Sequence, residues 1–173
     1  MIPILAQGKD IQALDDLTIR PAMLDDVFLL WEWANEPVTR VNSFNTEFIS
    51  WNAHQSWYTK KLLSSDSRFW ILELKRTPAG QIRYDRVSVD TAQISFSVAA
   101  CFRGKGLGTF LLEKTSPMAA RELAVKCVRG VALSHNQSSH RTFIKAGFTV
   151  TERQLIANRE CVVFSAAFES DRR

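Results

Sequence analysis

Cysteine is scarce in this chain, and its placement suits free thiols. Cys101, Cys127 and Cys161 are odd in number and show no paired ligand spacing, which argues against a disulfide framework or a zinc site. A reducing cytoplasm is therefore the expected location. Histidine is equally sparse, and no HxxxH or HxH pair suggests a metal. Long apolar runs are missing too: none approaches the roughly 20 residues needed to cross a bilayer. The apolar start, residues 1–5, carries no basic residue ahead of it and soon meets Lys9 and Asp10, unlike a secretory leader. There is no repeat, no low-complexity tract and no Pro/Gly-rich linker to divide the chain.

What remains is one domain's worth of ordinary globular sequence. With 173 residues and 46% hydrophobic content, the chain can bury a sizeable core. A tail over residues 1–16 and one domain over 17–168 are expected. Charge is unevenly spread. Residues 1–100 hold 10 Lys/Arg against 12 Asp/Glu, a net of −2, while residues 101–173 hold 12 against 6, a net of +6. A basic C-terminal half suits a polyanionic ligand, either a nucleotide phosphate or a nucleic acid. No basic run interleaved with aromatics supports nucleic acid.

Periodicity gives the element order. Residues 17–20 read as a strand ending at Pro21. Asp25 and Asp26 open a helix to about Asn35, with Pro37 beyond it, and residues 39–48 read as a loop. Ser50 caps a second helix, on which Trp51, His54, Trp57, Tyr58 and Lys61 recur at spacings of three and four. Strands follow over 68–74, 81–89 and 91–98, with a turn expected at Pro78, Ala79 and Gly80. A long helix over 109–125, a strand over 127–133 and a helix over 138–146 come next. A hairpin of strands 149–156 and 160–168, turning at Ala157 and Asn158, closes the chain. The order β-α-α-β-β-β-α-β-α-β-β implies an α/β (α+β) class, a mixed sheet with helices on both faces.

Chemistry concentrates where strand 91–98 runs through Arg103-Gly104-Lys105-Gly106-Leu107-Gly108 into a helix. Glycines let the backbone approach a ligand closely, and first-turn amides have no intrahelical partner. With the positive end of the helix dipole they form a pyrophosphate site, to which Arg103 and Lys105 add charge. A Walker A loop is absent, and the dinucleotide fingerprint fails because Leu111 stands where Gly or Ala is needed.

Arg103-x-x-Gly106-x-Gly108, between an antiparallel strand and a long helix, resembles the pyrophosphate motif of the GNAT acetyltransferases. Downstream, residues 133–139 with Phe143-x-x-x-Gly147-Phe148 resemble that family's second coenzyme A segment. The resemblance covers about residues 17–168. It implies the GNAT fold, with a mostly antiparallel central sheet, and acetyl-CoA as cosubstrate. It further implies that backbone groups from Phe96 through Val98 to Ala100 pair with the pantetheine arm, and that amides of Arg103, Gly104, Lys105, Gly106, Leu107, Gly108 and Thr109 hold the pyrophosphate. Asn136 and Ser139 would then meet the cofactor near its sulfur. Many family members carry Tyr at the position of Phe143, where a hydroxyl can protonate the leaving thiolate. Phe143 cannot, so either a water held by Ser139 or Asn136 would serve, or the thiolate would leave unassisted, a thiol of pKa about 8.5 being a tolerable leaving group. Thr91, Gln93, Ser95 and Ser97 share one strand face without a carboxylate, which makes a water relay the expected base. Cys101 lies near the expected thioester but has no nearby His partner, so an acyl-cysteine is the lesser path.

Arg40-Val41-Asn42-Ser43-Phe44 with Ser50-x-x-x-His54-x-x-Trp57 is similar to the amino-sugar nucleotide N-acetyltransferases of the pseudaminic acid pathway. That likeness implies a UDP-amino sugar as acceptor, with Arg40 and His54 on the nucleotide and Phe44 and Trp57 walling the groove. It implies neither membrane nor nucleic acid as partner and leaves room for a homodimer. His54 also reads as a polar residue on an exposed helix face, and His135 and His140 as solvated. Two alternatives stay open: a protein Nα-acetyltransferase of the ribosomal-protein type, and a non-catalytic acetyl-CoA-binding or nucleic-acid-binding module.

Overall fold

The structure, a computed structural model, describes residues 16–169; the expected tail lies almost wholly outside them. Seven strands form one sheet in the order β1-β2-β3-β4-β5-β7-β6. They are β1 (Leu17–Pro21), β2 (Ser67–Leu74), β3 (Thr77–Arg86), β4 (Thr91–Val98), β5 (Cys127–Leu133), β6 (Thr149–Ile156) and β7 (Arg159–Ala167). Every pairing is antiparallel except that of β4 with β5. This is the architecture that the GNAT resemblance implied.

Helices α1 (Val27–Asn35), α2 (Pro37–Val41) and α3 (Trp51–Leu63) precede the central strands, and α4 (Leu107–Glu122) and α5 (Gln137–Lys145) follow them. The alternation of strand side chains sorts these helices onto two faces. On one face, Leu30 and Tyr58 pack with Phe69 and Ile71 of β2. On the other, Ile82, Ile94, Leu111, Val128 and Phe164 belong to the larger core under α4 and α5. The Tyr84 hydroxyl lies 2.8 Å from Thr115 Oγ1 and 2.9 Å from Ser116 Oγ. It pins α4 to β3 just before the helix-interior Pro117, and burial pushes the Tyr84 pKa up to about 12.

Three sequence expectations need correction. The turn between β2 and β3 is at Lys75 and Arg76, both at positive φ, not at Pro78–Gly80. Pro78 is tolerated inside β3 because it pairs beside the β-bulge at Leu72/Glu73, where the ladder is already interrupted. The expected loop over 39–48 begins as the last turn of α2. Pro37 starts that helix and the Glu36 side chain caps it by accepting from the Thr39 amide. His54 is not on an exposed face. It is 4% exposed, with its ring stacked at 6.1 Å on Tyr58.

The interior contains one tight fit with consequences for the site. Phe143 of α5 stacks on Phe164 of β7 at 4.9 Å and meets Phe96 of β4 edge-on at 5.5 Å. The ring fits because residue 130 has no side chain: a Cβ there would lie 2.0 Å from Phe143 Cζ. Gly130→Ala should therefore destabilise the fold by about 1–3 kcal/mol, the usual cost of overpacking. Urea denaturation checks this, and an unchanged midpoint would contradict the packing.

Burial lowers the His54 pKa from 6.5, a shift only partly offset by a hydrogen bond with the Val27 backbone. The unfolded chain then binds a proton below pH 6.5 that the folded chain refuses. Stability is full above 6.5 and falls as pH drops toward the folded pKa. Between pH 7.5 and 5.5 the wild type should lose more stability than His54→Gln. A parallel loss in the two proteins would contradict a buried neutral imidazole.

Candidate acetyl-CoA and acceptor cleft

The site starts where two strands part. β4 and β5 pair in parallel only from Thr91↔Cys127 to Ile94↔Gly130. Beyond Ile94, β4 keeps its partner on the β3 side through Gly80↔Val98, while among the described residues no strand pairs with its other edge. The direction of the free groups follows from alternation. The Ala99 amide donates to Ala79 O at 2.9 Å, so residues 95 and 97 also face β3 and the Phe96 and Val98 amides face the opening. A backbone edge with open donors and an acceptor can take an extended amide-bearing arm as a further strand.

The glycine loop closes the wide end of that opening. Gly104 and Gly106 adopt φ of +76° and +79°, which a side chain would strain. Gly106 stands at the N-cap of α4 without a side-chain cap, so the first-turn amides stay available. A Cβ on Gly108 would come within 3.2 Å of both Thr142 and Phe96. Its absence brings the α4 N-terminus down onto α5 and β4. These observations fit a nucleotide pyrophosphate at the loop. Lys105 Nζ stands 5.3 Å above the Phe102 ring and remains an exposed cation.

Arg103 behaves differently from the expectation of a free phosphate ligand. Its Nη2 donates to Glu36 Oε2 at 2.6 Å and to Thr39 Oγ1 at 3.3 Å, and its Nε to Val98 O at 3.1 Å. The Arg103 bond, aided by the Thr39 amide, lowers the Glu36 pKa to about 2. Arg103 thus clasps the loop to α2, joining the glycine loop to the helices of the other face.

The second motif supplies the opposite wall. Asn136 Oδ1 caps α5 by accepting from the Ser139 amide at 3.2 Å. Its carbonyl is thereby occupied, while its amide nitrogen has no protein partner among the described residues. Ser139, Arg141, Thr142 and Lys145 line the cleft beside it. Phe143 reaches the lining but is only 2% exposed. His135 is exposed as expected, whereas His140 is not freely solvated, since its ring nitrogen lies 3.1 Å from Leu133 O.

Cofactor loop and acceptor groove open into one cleft of about 980 Å³. Phe44, His54 and Trp57 line it, and of the four tryptophans on the first helices only Trp57 does so. Trp31 and Trp51 pack edge-on at 5.7 Å, and Trp31 Nε1 donates to Ile49 O, holding the following loop in place. Arg40 also lines the cleft, but four of its N–H groups go to Ala34 O, Asn45 O, Glu47 O and Ser43 Oγ, so its main task is to fold that loop. The floor is polar. Gln81 Nε2 donates to Ser97 Oγ at 3.1 Å, and the buried Gln81 Oε1 and His54 Nε2 have no partner among the described residues. Arg83, Gln81 and Arg141 are lining residues that the sequence reading missed. For Gln81 and Arg83 the only signal was the odd-numbered register of β3 opposite Ser97 and Ser95; Arg141, on α5, gave none. Cys101 is exposed and does not line the cleft. Among the described residues no Asp or Glu lines it, and no cluster could hold a metal.

Solved structures share this fold. The spermidine N-acetyltransferase from Vibrio cholerae, in complex with CoA and spermine, superposes with a TM-score of 0.79 over 88% of this chain and 96% of its own, at 14% identity. A ribosomal L7/L12 α-N-protein acetyltransferase in complex with CoA gives 0.78 at 14% identity, covering 90% and 96%. An aminoglycoside acetyltransferase in complex with CoA gives 0.74 at 19%, covering 87% and 94%. No curated protein sequence matches the chain. The family model described as an acetyltransferase (GNAT) domain matches residues 16–149. With that match spanning most of the domain, and with a parted β4–β5 pair facing an uncapped glycine loop, the chain belongs to the GNAT acetyltransferases.

Proposed function

We propose that this acetyltransferase moves an acetyl group from acetyl-CoA to the amine of a nucleotide-linked amino sugar. The observation that carries the acceptor assignment is electrostatic: among the described residues no carboxylate lines the cleft, whereas Arg40, Arg141 and Lys145 do, together with Arg83 and Arg103, whose partners Asp85 and Glu36 are outside the lining. Spermine and aminoglycosides are polycations, and a cleft without acidic groups offers them repulsion. A sugar nucleotide brings negative phosphates and a planar base, for which Phe44 and Trp57 provide apolar walls.

Acetyl-CoA would be held by the Phe96 and Val98 amides, the amides of residues 104–109, Lys105 and the α5 wall, and it supplies the activated thioester. Ser97 and Gln81 lie on the floor where an attacking amine would be oriented. With no acidic or basic side chain on the β4 face, water relayed along Ser95 and Ser97 takes the amine proton. Phe143 has no proton to give, so water on the Asn136 amide or the Ser139 hydroxyl protonates the departing thiolate. Cys101 is outside the cleft lining, which favours direct transfer over a covalent acyl-enzyme.

The test is release of free CoA thiol with UDP-linked amino sugars, N-terminal peptides and spermidine as acceptors. Turnover is expected with the sugar nucleotides, with kcat/KM at least about tenfold above either alternative. Turnover with peptides alone would make the chain a protein N-terminal acetyltransferase. Acetyl-CoA binding without turnover on any amine would reduce it to a binding module.

A further inference from the structure

Arg83 occupies a built position that the reaction chemistry leaves unused. Its guanidinium carbon lies 4.6 Å from the Trp57 ring centroid and 5.8 Å from that of Phe69. Its Nε donates to Asp85 Oδ2 at 2.7 Å. Asp85 is itself held by Lys61 Nζ at 2.8 Å and by Ser67 Oγ at 2.6 Å, so it is shared among three donors and does not neutralise Arg83 alone. The side chain is 16% exposed, yet neither Nη atom has a hydrogen-bond partner among the described residues. Fixed at Nε and at its flat face, the side chain lines the cleft with its Nη pair unclaimed, and such a pair can bind two oxygens of one anion. Arg40, by contrast, gives most of its donors to backbone carbonyls.

We infer that Arg83, shelved on Trp57, is the anion-binding residue of the acceptor site and selects amines that carry a phosphate. This rests on the nucleotide-sugar reading and sharpens it by naming the residue and the acceptor group it holds. The position suits the role. Arg83 sits opposite Ser95 in the sheet and Gln81 opposite Ser97, so the two residues rise from the same face of β3 with backbones about 7 Å apart, two strand residues. The preferred acceptor is thus an amine with an anionic group several bonds away, and a polyamine is rejected by the same cation.

The experiment uses the full chain saturated with CoA, so that phosphate cannot report on the glycine loop. Calorimetry follows binding of UDP and, separately, of inorganic pyrophosphate to the wild type, Arg83→Lys and Arg83→Gln. Steady-state rates are taken with a UDP-linked amino sugar and with the same sugar lacking the nucleotide. For Arg83→Gln, affinity for UDP and for pyrophosphate should fall about ten- to a hundredfold, the range for a lost charge-assisted pair. KM for the UDP-linked sugar should rise likewise, with kcat and acetyl-CoA affinity within twofold. Arg83→Lys keeps the charge without the fork and should recover only part of the binding. A loss for UDP with none for pyrophosphate would overturn the phosphate assignment in favour of a base contact. Equal UDP affinity in wild type and Arg83→Gln would overturn the proposal outright, even if the enzyme acetylates the sugar nucleotide. If the enzyme acetylates no sugar nucleotide but UDP and pyrophosphate binding still follows Arg83, the anion site stands and the acceptor reading fails.

Discussion

The ring of Phe143 rests on Gly130 at the point where β4 and β5 separate, and the cleft depends on that contact. The same ring touches Phe96 on the departing strand and Phe164 on the strand beyond. It therefore fills the core face of the fork with apolar surface. Above it, Gly108 lets α4 descend onto Thr142 and Phe96, which brings an uncapped helix start to the mouth of the opening. A parted sheet, a free strand edge and a positive helix end are then neighbours without any side chain being asked to bind. That explains why a phenylalanine is acceptable where relatives of this fold can place a hydroxyl: the position is first a packing position here.

Electrostatics then divides the labour among the arginines. Arg103 is held by Glu36 and Val98 O and ties the cofactor loop to the acceptor-side helices. Arg40 folds the loop after α2 from within. Arg83 is fixed on its face and at one nitrogen, with two nitrogens left over. One residue type thus serves as clasp, scaffold and ligand, according to which N–H groups the protein has already used. Such differences decide which substitution should disturb folding and which should disturb recognition.

Much of this was legible in the sequence. The glycine loop, the Asn136-to-Phe148 segment and the hairpin turn at Ala157 and Asn158 stand out because backbone geometry restricts residue choice there. Helix α3 was readable from Ser50 and the spacing of its aromatics. The turn at Lys75 and Arg76 was not, because neither residue is a usual left-handed turn former and the nearby Pro78 and Gly80 drew attention away. The short α2 was hidden because its stability comes from the Glu36 cap and the Arg103 clasp, a contact 67 residues distant in sequence. Arg83 was invisible for the same reason: an arginine in a strand gains its role only when Trp57 and Phe69 from two other elements close around it.

The central claim is that the unpaired β4 edge takes the cofactor arm as a strand. Amide hydrogen exchange at Phe96 and Val98, with and without saturating acetyl-CoA, tests it most directly. Both amides face the opening without a partner strand, so their exchange should slow at least about tenfold on binding, while Ser95 and Ser97, already turned to β3, change little. Tight acetyl-CoA binding with unchanged exchange at Phe96 and Val98 would contradict the account.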